Sequence, residues 1–427
     1  SSVPASAVVE GTEEVPAPRV SLSAPELIAM VATLMALNAL AVDLMLPAMS
    51  AIATDLGVRS ANDQQLVIVV YVLGFGFPQL GFGPLADRFG RRRVLAISVA
   101  GYTIAGFAGM AAPSFGALLV TRFVQGVFAA GCRVVAVTLI RDLFAGRQMA
   151  RVMSLVMTVF MIVPIIAPGI GQLVLWVLPW QWCFGVLGVA GALTLAWTSL
   201  RLPETLPDAA RRPLGLGATA SAYKTVLTSR PTFGYMLASG VIFAALFSFL
   251  SASEQIFREV FHQGETFALW FAAVAVVLGA ANFANSRLVV RFGMRRLAHG
   301  ALVGFTISAI LLLVATRAFG EHLAIFFPLF TICFALFGLI GANFNALAME
   351  PLGKIAGTGS AAYGFATTTV SAVIGGLIGR AYDGTTGPLM VGYVVLGLAA
   401  LGIALFVERG RLFGDDGHAA RAHAAPP

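Results

Sequence analysis

Two ionisable residues stand inside long apolar segments of this chain, where they could handle a proton. Asp43 lies near the end of the first segment and Arg122 near the start of the fourth. Charges at membrane depth are costly and are usually paired and functional. The two residues lie at a similar depth and can interact directly or through Gln125 and water. In that case Asp43 exchanges a proton while Arg122 holds its charge. A static ion pair that fixes helix packing is the open alternative.

A second arginine, Arg133, follows Arg122 on the same apolar segment. Three helical turns separate the two residues, so both project from nearly one face, about 16 Å apart. Arg133 is either a second cation for an anionic or strongly electronegative substrate group, or a side chain that snorkels to the helix end and pairs with an acid such as Glu350. The residues leave both interpretations open.

Other side chains could complete a binding site. Glu254, near the end of the seventh segment, is expected to be solvated at the membrane interface and is a second candidate proton site. When the tenth segment is aligned on the fourth, Asn343 takes the place of Arg133, so Asn343 and Asn345 are predicted to form an uncharged polar face. A pliable apolar wall for varied ligands is predicted from Tyr71, Phe243 and Phe247.

The elements that must position these residues are membrane helices. Of the 427 residues 58% are hydrophobic and 11% are charged, against about 25% charged in soluble proteins. Apolar stretches of about 20 residues, enough to cross a bilayer, recur twelve times. The sequence therefore predicts an all-α polytopic membrane protein of two pseudo-symmetric six-helix bundles. The predicted divisions are a disordered tail (1–24), a first bundle (25–203), a linker (204–231), a second bundle (232–407) and a charged tail (408–427).

The distribution of basic residues predicts the orientation. Most of the 27 Lys and Arg fall in the tails, the linker and the loops on the same side, whereas the opposite loops hold only Arg59, Arg258, Arg317 and Arg380. Because basic loops stay in the cytoplasm, both termini and the linker are predicted to be cytoplasmic. The net charge of +7 thus reports topology and does not indicate nucleic-acid binding.

A basic stretch, Gly83–Arg93, joins the second and third segments and is predicted to form a short turn on one membrane face. A weaker copy, Ser286–Arg296, recurs in the second half, and both contain Arg-Phe-Gly-x-Arg-Arg. A duplicated membrane unit of this kind indicates a transporter built from two halves.

The turn resembles the signature of the major facilitator superfamily. Arg122–Gly126 resembles the fourth-helix motif of its drug:proton antiporters, and Ala167–Gln172 resembles their Gly-Pro-x-x-Gly-Gly motif, with Ala and Gln in place of the first and last Gly. Four further stretches are similar to the bicyclomycin and chloramphenicol resistance (Bcr/CflA) subfamily, namely Val42–Ala48, Tyr235–Gly240, Phe247–Ala252 and Asn345–Ala348. Arg133 departs from that subfamily, which usually has a small residue there.

The resemblance implies the major facilitator fold, with the first and fourth helices lining a central cavity. It implies a monomer of the bacterial inner membrane that exports small amphipathic drugs of the phenicol or bicyclomycin kind in exchange for protons, by alternating access. Substrate would meet Asp43, Arg122, Gln125, Arg133 and the asparagines and aromatic residues named above. No nucleic-acid partner and no cofactor is expected.

Two further groups are expected to control the motion. By resemblance, the turn latches the outward-facing state, with Asp87 against the start of the eleventh helix, where a carboxylate gains about 0.3–2 kcal/mol. The residues of this latch are Gly83, Asp87, Arg88, Gly90, Arg91 and Arg92. On the fifth helix, bending and close packing where the halves meet are predicted for Pro164, Pro168, Gly169 and Gly171.

Other functional classes fit less well. No His-Glu-x-x-His motif and no phosphate-binding loop occurs in the sequence, so an enzyme, a metal site and a nucleotide-driven pump are not expected. Proton-coupled import of a small metabolite stays open because the fifth-helix motif is imperfect. A copper importer is the weaker alternative, suggested by the stripe of Met153, Met157 and Met161.

Overall fold

The computed structural model describes residues 22–144, 146–206 and 216–414, apart from some side chains in 146–161, 216–219 and 353–357. These ranges are almost entirely helical. The helices are α1 Ala24–Asp43, α2 Met49–Asp55, α3 Leu66–Gly76, α4 Gln79–Phe89, α5 Arg91–Met110, α6 Phe115–Leu143, α7 Gly146–Val177, α8 Gln181–Arg201, α9 Leu216–Thr228, α10 Arg230–Gln255, α11 Phe267–Phe292, α12 Met294–Phe319, α13 Leu323–Met349, α14 Ala356–Arg380 and α15 Gly387–Val407.

Most of these helices are long enough to span a membrane. Within the described ranges, ten helical segments are long and apolar enough to cross a bilayer, and α3 and α4, bent by 45° at their junction, together make an eleventh. The remaining predicted crossing corresponds to α7, in which residues 162–177 form a shorter apolar stretch. The predicted tail residues 1–21 and 415–427 lie outside the description.

The first predicted helix is interrupted where the sequence suggested continuity. α1 ends at Asp43, a short 3₁₀ turn follows at Leu46–Ala48, and α2 completes the crossing. Pro47 within this turn has no backbone N–H to continue the helical bonding. The interruption leaves Asp43 at a helix end that is buried inside the protein.

The predicted turn at Gly83–Arg93 is wrong in extent. α4 continues through Pro84 to Phe89, and Gly90 alone joins it to α5. Gly90 has φ +93°, a conformation open to glycine and strained for other residues. The copy repeats this arrangement, because Gly293, with φ +80°, alone joins α11 to α12. The two turns therefore share one backbone conformation.

Packing within the first half places α6 against α1, α3 and α5, while α10 contacts α13, α14 and α15 in the second half. The α3–α6 contact is very close, since a Cβ on Gly126 would lie 2.1 Å from the Tyr71 carbonyl oxygen. Between the halves, α3 and α4 pack on α14, and α7 packs on α11. The domain boundaries remain predictions.

The predicted linker 204–231 contains a helix that the sequence analysis did not predict. α9 packs against α10 and α14, and its Tyr223 hydroxyl donates to the Leu80 carbonyl oxygen at 3.2 Å. The linker therefore contacts both halves of the chain.

Candidate functional site

Asp43 is buried, with 5% of its surface exposed, at the end of α1. Among the described residues, no hydrogen bond or ion pair engages its carboxylate. The backbone of α7 packs closely against the residue that follows Asp43. A Cβ added to Gly171 of α7 would lie only 2.2 Å from the Leu44 carbonyl oxygen. The structure therefore holds a carboxyl group inside the protein without a cationic partner in the described ranges.

Arg122 is fully buried, and its guanidinium is bound by three elements. Nη2 donates to the Ala41 carbonyl oxygen at 2.8 Å, Nε to the Val67 carbonyl oxygen at 3.1 Å, and Nη1 to Gln125 Oε1 at 2.8 Å. The guanidinium also lies 4.3 Å from the centre of the Tyr71 ring. Ala41 is in the last turn of α1, where carbonyl groups lack helical partners. Arg122 thus ties the end of α1 to α3 and α6.

The predicted direct contact between Asp43 and Arg122 is not formed in this structure. The guanidinium reaches the Ala41 carbonyl, two residues before Asp43, because the end of α1 offers an acceptor there. Gln125 does not bridge the pair either, since its Nε2 is buried without a hydrogen-bond partner in the described structure. The guanidinium therefore bonds the turn of α1 that carries Asp43 without an ion pair to its carboxylate. Their predicted functional partnership stays a prediction.

Arg133 is partly exposed and lies 5.7 Å from the centre of the Phe75 ring. Glu350, its suggested partner, instead accepts from Arg295 Nη2 at 3.0 Å. The pairing of Arg133 with Glu350 is therefore absent from this structure. Among the described residues no acid forms an ion pair with Arg133.

Glu254 lies at the contact between the halves, and the expectation that solvent surrounds it is wrong for this structure. Only 6% of its surface is exposed. Arg258 Nε donates to Glu254 Oε1 at 2.7 Å, and Gln64 of the first half donates to Oε2 at 3.4 Å. Glu254 is buried because the halves close over it at this end.

The same end carries further hydrogen bonds between the halves. Gln65 Nε2 donates to Gln255 Oε1 at 2.8 Å and to the Gly379 carbonyl oxygen at 2.9 Å. Arg380 Nη2 lies 2.7 Å from Asp63 Oδ1. We call this contact, formed by 62–65 with 254–255 and 379–382, the closed end.

The predicted polar and apolar walls are placed as follows. Asn343 is buried and donates to Asn285 Oδ1 at 2.7 Å, whereas Asn345 is exposed. Phe243 is partly buried and packs edge-on against Phe337, with ring centres 5.0 Å apart. Phe247 is partly buried, and its Cβ lies beside Gly375.

Three predicted substrate contacts, Tyr71, Arg122 and Gln125, have almost no exposed surface in this conformation. Tyr71 instead donates from its hydroxyl to Asn38 Oδ1 at 2.9 Å. Their role in binding stays a prediction.

The residues of the predicted latch are bonded within the first half and to the first residue of the predicted linker. Arg91 Nη1 lies 2.6 Å from Asp87 Oδ1, and Arg91 Nε donates to Asp142 Oδ2 at 2.9 Å. Glu204 accepts from the backbone N–H groups of Arg91 and Arg92 at 2.9 and 3.2 Å.

The rest of this turn makes weaker contacts. Arg88 stacks on the Phe89 ring, and a Cβ on Gly83 would meet no atom within 4 Å. In the described residues Asp87 makes no ion pair with the second half, and the latch stays a prediction for another conformation.

On α7, Pro164 and Pro168 lie inside a continuous helix. Gly171 packs against the end of α1 within the same half, whereas a Cβ on Gly169 would meet no atom within 4 Å. Close packing by Gly171 thus serves the Asp43 region, while α7 as a whole meets α11. The side chains of Met153, Met157 and Met161 lie outside the described residues.

The sequence analysis missed several polar residues of the site, above all Asn38, Gln64 and Gln65. Each is a polar side chain in or beside an apolar run, a signal that could have indicated buried hydrogen bonding. Within the part of the chain that the structure describes, no cluster of three His, Cys, Asp or Glu could hold a metal ion.

Comparison with known proteins decides the family. The model of the Major Facilitator Superfamily matches residues 31–379. The chain belongs to the major facilitator superfamily. This facilitator is 30% identical over 337 residues to a bicyclomycin resistance protein homolog of Haemophilus influenzae, covering 78% of the chain and 83% of the relative. It is 28% identical over 361 residues to the multidrug resistance protein MdtL of Escherichia coli O81, covering 82% and 88%. These relatives confirm the resemblance to the Bcr/CflA subfamily.

Solved structures agree on the fold. The xylose transporter XylE of E. coli, in a partially occluded inward-open conformation, matches this facilitator with a TM-score of 0.69 at 16% identity, covering 91% of the chain and 99% of XylE. A mutant of the nucleoside transporter NupG matches with a TM-score of 0.69 at 14% identity, covering 90% and 99%. The protein is a multi-pass membrane transporter and not an enzyme.

Proposed function

We propose that this facilitator is a proton-coupled antiporter that exports small amphipathic drugs across the bacterial inner membrane. The observation that carries the proposal is Asp43, a buried carboxyl group without a cationic partner in the described structure. An unpaired charge in such surroundings is costly, and protonation removes that cost. Relatives named for bicyclomycin and multidrug resistance support drugs as the cargo.

Arg122 is the proposed partner of Asp43. In this conformation it bonds the Ala41 carbonyl, so it holds the last turn of α1 against α3 and α6. When Asp43 releases its proton, the new negative charge attracts the Arg122 guanidinium, which is bonded to the carbonyl oxygen two residues before Asp43. That attraction changes how α1 sits between its neighbours. Protonation and helix position are thereby linked, as exchange between two states requires.

The closed end gives the direction of opening. If both termini are cytoplasmic, as the basic loops predict, the closed end is periplasmic, which is the arrangement expected of a conformation that opens to the cytoplasm. Glu254 would then be a second carboxyl group that protons from outside meet when the closed end opens. The latch residues around Asp87 would bond the second half only in the opposite, outward-facing state.

The energy released by an inward-moving proton is sufficient to drive drug export. An inward proton yields about 2.3 kcal/mol per 100 mV and about 1.4 kcal/mol per pH unit. The sum of roughly 3.7 kcal/mol sustains a several-hundred-fold gradient of a neutral drug, at about 1.4 kcal/mol per tenfold change. No nucleotide is required.

Drug tolerance of a pump-deficient host tests the proposal, with phenicol and bicyclomycin antibiotics as probes. The wild type is expected to raise tolerance, and Asp43→Asn is expected to abolish this while reaching the membrane in equal amount. Asp383→Asn is the matched control because Asp383 is exposed in the loop after α14. Tolerance that stays unchanged or falls on wild-type expression would indicate an importer and overturn the proposal. Normal export by Asp43→Asn would move the proton site to Glu254 or elsewhere.

A further inference from the structure

Two of the three arginines of α6, Arg122 and Arg133, differ in their contacts with the protein. All three nitrogens of the Arg122 guanidinium donate to protein acceptors, and none of its surface is exposed. Arg133 is partly exposed, and the Phe75 ring is the one partner that the described structure gives its guanidinium. Every guanidinium nitrogen of Arg122 is therefore bonded to the protein, while those of Arg133 are available to a ligand.

The acids that could neutralise Arg133 are engaged elsewhere or do not reach it. Glu254 pairs with Arg258, and Glu350 pairs with Arg295. Asp43 forms no ion pair in the described structure. A cation in the middle part of a membrane helix is costly unless a counter-charge or water meets it. No acid of the described protein supplies that counter-charge, so water or a bound ligand meets the guanidinium on its exposed side.

We propose that Arg133 selects substrates that carry a carboxylate or a similar anionic group on an aromatic or apolar body. A guanidinium presents its N–H groups as a planar fork that can bind a carboxylate through two parallel hydrogen bonds. The Phe75 ring lies 5.7 Å from the guanidinium, a contact that uses the ring face and none of the N–H donors. The inference rests on the proposed function, because it names the substrate class of that transporter.

The selection has a second element in the second half. Asn343 occupies the position equivalent to Arg133 when the two halves are aligned in sequence. It is buried and hydrogen-bonded to Asn285. That position therefore offers no second charge, and a single cation at Arg133 favours one anionic group on the substrate.

Binding of a matched pair of probes tests the inference. Chloramphenicol and chloramphenicol succinate share an aromatic body, and the second adds a carboxylate. Binding of each is measured by equilibrium dialysis against the purified full chain, without a proton gradient. The variants are Arg133→Ala, Arg133→Gln and Arg133→Lys, with Arg141→Ala as the matched control, because Arg141 is exposed at the end of the same helix.

The wild type is expected to bind the succinate more tightly than chloramphenicol. Arg133→Ala and Arg133→Gln should weaken succinate binding by about 10- to 100-fold, the loss of hydrogen bonds to a charged group, and leave chloramphenicol binding within about twofold. Arg133→Lys should retain part of the preference, since it keeps the charge without the fork. Arg141→Ala should match the wild type.

Three results would overturn the inference. They are a wild type that does not prefer the succinate, an Arg133→Ala variant that keeps the preference, and loss of both probes in all three Arg133 variants, which would make Arg133 structural. The assay also separates this inference from the proposed function. Selectivity that depends on Arg133 can be present in a protein that imports, and drug export without that selectivity refutes the inference alone.

Discussion

Replacing Asp43 by asparagine should leave the stability of the protein almost unchanged. The carboxylate has no hydrogen-bond or ion-pair partner in the described structure, and the amide has the same shape. One unbonded buried polar group therefore replaces another, and we expect a change of less than about 1 kcal/mol. An ion pair between Asp43 and Arg122 would predict a different result. Removing one partner of a buried ion pair costs about 3–5 kcal/mol.

Replacing Arg122 by lysine should have the opposite effect. The three acceptors of the guanidinium come from α1, α3 and α6, and one ammonium group cannot reach all of them. At least one acceptor, the Ala41 carbonyl oxygen or Gln125 Oε1, then stays buried without a donor, at a cost of about 1–3 kcal/mol. Arg122→Lys should therefore unfold at a clearly lower temperature than the wild type.

The chain carries its own reporter for this measurement. Cys132, Cys183 and Cys333 are free and buried, so a thiol-reactive dye becomes fluorescent only as the protein unfolds. Thermal unfolding of the purified wild type, Asp43→Asn and Arg122→Lys is followed with this dye. If Asp43→Asn unfolds as early as Arg122→Lys, the two residues form a stabilising pair, and our interpretation of the site is refuted.

Two further substitutions probe packing and closure. Gly126→Ala would place its Cβ 2.1 Å from a backbone oxygen of α3, so it should destabilise the folded protein by about 1–3 kcal/mol or more. Gly116→Ala on the same helix meets no atom within 4 Å and should be neutral. The same dye measures the unfolding of both variants. Gln65→Leu removes the hydrogen bonds to Gln255 and Gly379, which contribute about 1 kcal/mol each. An impermeant thiol reagent should then label a cysteine introduced at buried Ser251 faster. Equal labelling rates with and without Gln65→Leu would contradict the role of the closed end.

Much of the fold could be predicted from the apolar lengths alone. The expected apolar stretches are found as long helices such as α13 and α14, because membrane helices must satisfy their backbone internally and so show their length in the sequence. The breaks after Asp43 and at Pro78 were missed. A proline inside a membrane helix can be tolerated or can end the helix, and neighbouring helices decide which.

The site was less accessible to sequence reasoning. Burial and helix assignment of Asp43 and Arg122 follow from their apolar surroundings, but two of the acceptors of Arg122 are backbone carbonyls, and a carbonyl has no signature in the sequence. The position of Glu254 near a helix end predicts solvation, because depth along one helix carries no information about neighbouring helices. The packing of the halves, which buries it, depends on the conformation and not on the residue.

The unpredicted helix α9 suggests how the linker follows the motion of the first half. Pro84 lies inside α4 and has no backbone N–H, so the Leu80 carbonyl, four residues earlier, loses its helical donor. The Tyr223 hydroxyl of α9 donates to that carbonyl instead, at 3.2 Å. A tyrosine hydroxyl is protonated and able to donate at neutral pH, and burial raises the pKa of Tyr223 further. A proline in one half thus creates the docking point for a helix that also packs on the other half.

A double-mutant cycle tests this docking point. Tyr223→Phe removes the donor and should cost about 0.5–1.5 kcal/mol of stability and slow drug export. In the Pro84→Ala background the alanine N–H can bond to Leu80 within α4, so the same Tyr223→Phe change should cost much less. The difference between the two costs measures the coupling of the residues. Equal costs in both backgrounds would mean that Tyr223 stabilises the protein independently of Pro84, and α9 would then be held by its apolar packing alone.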